Sequence, residues 1–286
     1  MTHQSGRHDN PQDRSRLRCR DAVIWSRDVT PKVSPTVDRS AVRPSSKLQG
    51  VLVVGFPALA FATNCYVVAP AQGEECVVVD PGIGVEPRLA EVLAEHRLRP
   101  AAVLLTHGHL DHVYAVTPVC QAHGVAAAVH ADDAYRLADP LASLEPALVA
   151  MLEQQFGTRA GWQEPADLVR LTDGARLELA GLAVDVVHAP GHTEGSVMFA
   201  LPGQVPDGPG FPAAAATVLT GDVLFAGSIG RTDLPGGDPD AMTRSLTGKV
   251  LPMADDTLVL PGHGPTTTIG RERVSNPFLR QLTPSA

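Results

Sequence analysis

Three imidazoles and a carboxylate fall within six residues, His107-Gly108-His109-Leu110-Asp111-His112, directly after the apolar run Ala101–Leu105. Imidazole and carboxylate together suit zinc, iron or manganese. Residues two apart in an extended segment point the same way, so His107 and His109 can bind one cation together. Asp111 and His112 begin the next helix and can face a second cation beside the first. A single loop histidine is usually a surface residue. Donor spacing this dense, straight after a buried strand, specifies far more.

Three later positions extend the set. His192 lies in Pro190-Gly191-His192-Thr193-Glu194-Gly195-Ser196, Asp222 in Thr220-Gly221-Asp222, and His263 in Pro261-Gly262-His263-Gly264. Each follows an apolar run and sits in a Gly-rich turn, where rigid scaffolds place function. Taken singly, the histidines read as hydrogen-bonded turn residues and Asp222 as a cap. Together with the cluster they read as ligands.

The remaining chain shows what carries them. Residues 1–47 have few large apolar side chains and hold ten Lys and Arg against five Asp, so they read as a disordered extension. A single folded domain, 48–286, is expected to follow. It is strongly acidic, which argues against a nucleic-acid surface. Cys19, Cys65, Cys76 and Cys120 form no CxxC pair and no secreted disulfide framework, so a reducing, cytoplasmic setting is expected. No apolar run suggests a bilayer span or a secretory signal.

Strands are expected at Val51–Val54, Ala62–Ala69, Cys76–Val79, Ala101–Leu105, Ala126–Val129, Arg176–Leu179, Ala183–His188, Ser196–Leu201, Thr217–Thr220 and Leu258–Leu260. Helices are expected at Glu86–Arg97 and Val113–His123, with short helices in an excursion over 138–156. Pro202–Pro212 reads as a surface loop. A two-layered β core with helices outside fits this order.

The pattern His107-x-His109-x-Asp111-His112, then His192, Asp222 and His263, resembles the metallo-β-lactamase superfamily. The flanks Gly191-His192-Thr193-x-Gly195-Ser196, Gly221-Asp222-x-Leu224-Phe225 and Gly227-Ser228-Ile229-Gly230-Arg231-Thr232-Asp233-Leu234-Pro235-Gly236-Gly237-Asp238 resemble its glyoxalase II branch. The resemblance covers about residues 48–270 and implies an αββα sandwich, an α/β fold with the metals at one sheet edge. It implies two divalent metal ions, zinc first and iron or manganese as alternatives. His107, His109 and His192 would hold the first, Asp111, His112 and His263 the second, and Asp222 both. It also implies a small thioester substrate, such as an S-2-hydroxyacyl (lactoyl) thiol, attacked by a metal-bridging hydroxide, with Asp111 and Asp222 as the catalytic carboxylates. Asp80 would support the ligands from behind, or simply form its Asp-Pro-Gly turn. Arg231 would hold an anionic substrate or, paired with Asp233, scaffold its loop. After His263 only 23 residues remain, so the glutathione-gripping helical domain of the long glyoxalase II type is missing and the resemblance is to the short type. A mononuclear Fe(II) persulfide dioxygenase, and a lactonase or β-lactamase, are the alternatives in the same superfamily.

Overall fold

The computed structural model describes residues 49–142, 144–157, 162–206 and 211–282. The extension expected over 1–47, and the domain start at Leu48, lie outside the described residues.

β1 (Gln49–Pro57), β2 (Asn64–Ala69), β3 (Glu75–Val79), β4 (Arg99–Leu104), β5 (Ala127–His130) and β6 (Leu168–Leu171) form one sheet in chain order. β7 (Arg176–Leu179), β8 (Leu182–His188) and β9 (Val197–Pro202) belong to a second sheet, while β10 (Gln204–Pro206) returns to the first and pairs parallel with β1. β11 (Ala216–Gly221) rejoins the second sheet. β12 (Leu224–Phe225) and β13 (Ser228–Ile229) make a small hairpin, and β14 (Thr257–Pro261) and β15 (Thr267–Thr268) finish the second sheet. β3 to β6 run parallel, as do β11 and β14.

The β-branched runs are uninterrupted because both faces of the first sheet are covered. On β2 and β3, Tyr66, Val68, Val77 and Val79 pack inward against Val184, Val186, Phe199, Leu219 and Leu260 of the second sheet. The alternate residues Cys65, Val67, Cys76 and Val78 face outward onto helices. α1 (Glu86–His96) lays Leu89, Val92 and Leu93 there, and it ends where Arg97 turns left-handed. Beyond α2 (Leu110–Val113), α3 (Val116–His123) adds Val116, Val119 and Cys120. Met198, Val218 and Val259 on the outer face of the second sheet pack against Met242, Leu246, Ile269 and Leu279. The layers therefore run helix, sheet, sheet, helix, the expected αββα sandwich.

Three expectations change. The helix read over Val113–His123 starts later, at Val116, separated from α2 where the Ala115 N–H bonds to the Pro81 carbonyl. The Pro-rich segment after Pro202 is not all loop, since Gln204–Pro206 is an edge strand. Of the excursion, α4 (Pro146–Phe156) is one helix started by its proline. Among the described residues no helix is long and apolar enough to cross a membrane.

Phe199 is fully buried between the sheets. Phe199→Ala should cost about 3–5 kcal/mol in urea unfolding. Val274→Ala, at a position 76 % exposed, should stay within about 0.5 kcal/mol.

Candidate metal centre

The candidate residues stand beyond strand ends, with Asp111 and His112 carried on the short helix α2 that follows β4. Asp80 follows β3 and His107 follows β4. His192 joins β8 to β9, Asp222 follows β11, and His263 follows β14. The strand ends are stitched across the sheets. The Val197 N–H donates to the Thr106 carbonyl (2.8 Å) and the Asn64 N–H to that of Gly262 (2.7 Å). The Asn64 side chain donates to the carbonyls of Pro261 (3.0 Å) and Gly264 (2.9 Å). Both sheets thus deliver side chains to one place.

There the seven residues gather. His107, His109 and His192 form one donor group and Asp111, His112 and His263 another, and a third combines His107, His112 and Asp222. Within each, the donor atoms lie within 4.8 Å of one another. Asp222 touches both sides. Its Oδ1 is 3.3 Å from His112 Nε2, and its Oδ2 is 3.5 Å from His192 Nε2 and 3.6 Å from His263 Nε2. Room for this depends on Gly262, where a Cβ would collide with Asp222 Oδ1 and the His112 ring.

The ring orientations are fixed from behind. His112 Nδ1 donates to Asp80 Oδ2 (2.9 Å), which leaves the Nε2 lone pair facing inward. Asp80 also accepts the Thr106 N–H (2.8 Å) and hydroxyl (2.6 Å). With its proton spent on Asp80, the Thr106 hydroxyl accepts from His107 Nδ1 at 3.1 Å. His192 Nδ1 donates to the Arg231 carbonyl at 2.7 Å. Hydrogen-bonded partners of this kind fix the tautomer of a ligating histidine. Asp80 also forms its turn, at φ +51°, a backbone region that Asp tolerates better than most residues. Asp80 thus both forms a turn and hydrogen-bonds the His112 ring.

A divalent cation fits this donor set. His107 Nε2, His112 Nε2 and Asp222 Oδ1 are buried without a hydrogen-bond partner, a state that is costly unless something positive satisfies them. His109 Nδ1 lies 2.9 Å from His192 Nε2, so these two nitrogens need a proton or a cation between them. Burial, reinforced by the neighbouring histidines, holds His107 well below the ordinary imidazole range and pushes His109 down to about 3. Both are thus neutral lone-pair donors. Burial also opposes charge on His112, but Asp111, Asp222 and Asp80 outweigh it and hold that ring well above its usual value. Against the same burial, His112 is the main influence keeping Asp111 and Asp222 below the ordinary carboxylate range. The pocket attracts positive charge.

Sequence reasoning missed several participants. The buried Thr63 hydroxyl donates to Asp111 Oδ2 (2.7 Å) and orients that carboxylate. The buried Glu272 accepts from the Gly227 N–H (2.7 Å) and the Thr267 hydroxyl (2.6 Å). Asn276 donates to Glu272 (3.0 Å) and to the Ser228 carbonyl (3.0 Å). This latch fastens the β12–β13 hairpin to the helices Ile269–Ser275 and Pro277–Leu282. No motif signalled it, because its bonds to the hairpin reach back 45 and 48 residues along the chain. Arg231 reaches the centre through its carbonyl. Its guanidinium is exposed and paired twice with Asp233 at 2.7 Å. His188 is a hydrogen-bonded strand histidine, with Nε2 2.8 Å from the Glu194 carbonyl.

An αββα sandwich with this donor set at one edge defines a metal-dependent hydrolase. Residues 58–205 match the profile of the metallo-beta-lactamase superfamily. Hydroxyacylglutathione hydrolase GloC of Haemophilus influenzae is 36 % identical over 78 % of this chain and 95 % of its own. A solved structure described as the BLEG-1 B3 metallo-beta-lactamase superposes with a TM-score of 0.64 at 34 % identity, covering 80 % of this chain and 99 % of that one. TTHA1623 in a di-iron-bound form gives 0.61 at 36 % identity, covering 79 % and 100 %. The chain belongs to the metallo-beta-lactamase superfamily.

Asp80→Ala removes the acceptor behind His112 and frees the Thr106 hydroxyl. Metal affinity should fall roughly 10–100-fold, read as metal retained after dialysis against a graded chelator.

Proposed function

We propose that this chain is a dinuclear-metal hydrolase that cleaves small thioesters, S-2-hydroxyacyl thiols among them. The reading rests chiefly on Asp222, whose oxygens come within 3.3 to 3.6 Å of imidazole nitrogens from both donor groups. His107, His109 and His192 would hold one cation, Asp111, His112 and His263 the other, and Asp222 would offer a carboxylate oxygen to each side. Bound there, two divalent cations supply Lewis acidity and lower the pKa of a water toward ~7. The donor types admit zinc, iron or manganese.

The protein's own part is orientation. Thr63 holds Asp111 Oδ2, so this carboxylate faces His112 and His263 and can direct the attacking water. Asp80, Thr106 and the Arg231 carbonyl keep three imidazoles turned inward. The leaving thiol has a pKa of roughly 8.5 and departs as thiolate without a strong acid. That suits a site where the three described cysteines, Cys65, Cys76 and Cys120, are buried. The likeness to the Haemophilus influenzae hydroxyacylglutathione hydrolase, over nearly all of that protein, supports a thioester substrate. A mononuclear iron oxygenase would leave Asp111, His112 and His263 without a task.

Metal-loaded protein should release thiol from S-lactoylglutathione, and His107→Ala should fall to the uncatalysed background. Oxygen uptake on glutathione persulfide with no thiol release would overturn the hydrolase reading in favour of the dioxygenase.

A further inference from the structure

Asp133 is fully buried in the short 3-10 helix Ala131–Leu137 that follows β5. Its carboxylate lies between two loops that come from different sheets. Oδ2 accepts the Gly108 N–H at 2.8 Å and the Thr193 hydroxyl at 2.7 Å, and Oδ1 accepts the Gly195 N–H at 2.8 Å. Gly108 is the residue between His107 and His109. Thr193 and Gly195 follow His192 directly. At Gly195 any side chain would meet Asp133 itself, its Cβ falling 2.7 Å from Cγ of Asp133. Arg136 Nε stands 3.4 Å from Oδ1 and supplies the counter-charge.

Three donors on two oxygens require a carboxylate. Asn offers one oxygen, so its amide N–H would face a donor. Glu would push the loops apart. The bonds reach only the loops bearing His107, His109 and His192, and Asp111, His112 and His263 have none to Asp133. Carboxylates behind a metal site usually act by holding a ligand's own ring. Asp133 holds no ring; it holds the backbone on either side of two ligand loops.

We propose that Asp133 is a positioning residue for the first cation, a clamp that sets the separation of the His107–His109 loop from the His192 loop. The proposal rests on the dinuclear reading above. The 2.9 Å approach of His109 Nδ1 to His192 Nε2 joins these same two loops.

The test uses the full chain loaded with Co(II), titrated with a graded chelator and followed by its d–d absorption, for wild type, Asp133→Asn, Thr193→Val and Thr193→Ser. Thermal unfolding of each checks the fold. In Asp133→Asn the cation bound by three histidines should weaken roughly 10–100-fold and its spectrum should change, while the carboxylate-bound cation keeps its affinity. Thr193→Val should weaken the same cation by less, and Thr193→Ser, which keeps the hydroxyl, should restore wild-type behaviour. If Asp133→Asn is too unstable to load, the two Thr193 variants decide alone. Equal weakening of both cations, or none, would overturn the clamp while leaving the dinuclear reading intact. Wild type that takes up a single cobalt would overturn the dinuclear reading and the clamp with it.

Discussion

Three carboxylates converge on one buried ring. Asp80 Oδ2 lies 2.9 Å from His112 Nδ1, while Asp111 Oδ2 and Asp222 Oδ1 lie 3.5 and 3.3 Å from Nε2. A buried charge is tolerated only when it is paired, and removing a partner leaves the rest uncompensated. The pairing requires the end of β3, the first turn of α2 and the end of β11 to meet at one point. Those elements come from both sheets. The requirement thus fixes how the sheets are set against each other at this edge, and the apolar layer between them fills the space behind it.

Much of this could be read from the sequence. The strands carry β-branched runs whose burial on both faces leaves an unbroken apolar signal, and Asp222 and His263 follow such runs within two positions while the other donors stand in the loops and the short helix just beyond. Segments that depend on tertiary partners were harder to see. β6 has Arg170 in its middle and is a strand because it pairs with β5. β10 is three residues long, contains a proline and exists through β1. The break before α3 arises from a carbonyl at Pro81, far from any local signal. The clustered donors themselves were legible because their spacing is a property of the chain. Thr63, Thr106, Asp133 and Glu272 each make at least one bond across 25 residues or more, and no local pattern announces that.

The two sheets contribute unequally. The first supplies His107, His109, Asp111 and His112 from one continuous stretch, together with Asp80 behind them. The second supplies His192, Asp222 and His263 singly, from three separate turns. Parallel pairing explains the difference. β3, β4 and β5 all point their carboxyl ends the same way, so consecutive loops of the first sheet accumulate at one edge. In the second sheet only β11 and β14 share that direction as parallel neighbours. The antiparallel turn between β8 and β9 brings the remaining histidine to the same edge.

The Glu272–Asn276 latch lies C-terminal to every donor residue. A ribosome therefore makes all seven donors before it makes the residues that pin the β12–β13 hairpin, and with it the approach to the Arg231 carbonyl beneath His192. Until then the carbonyl that selects the His192 tautomer has no anchor in the C-terminal helices. The order of residues along the chain separates collecting the donors, which comes first, from anchoring the partner of the His192 ring, which comes last.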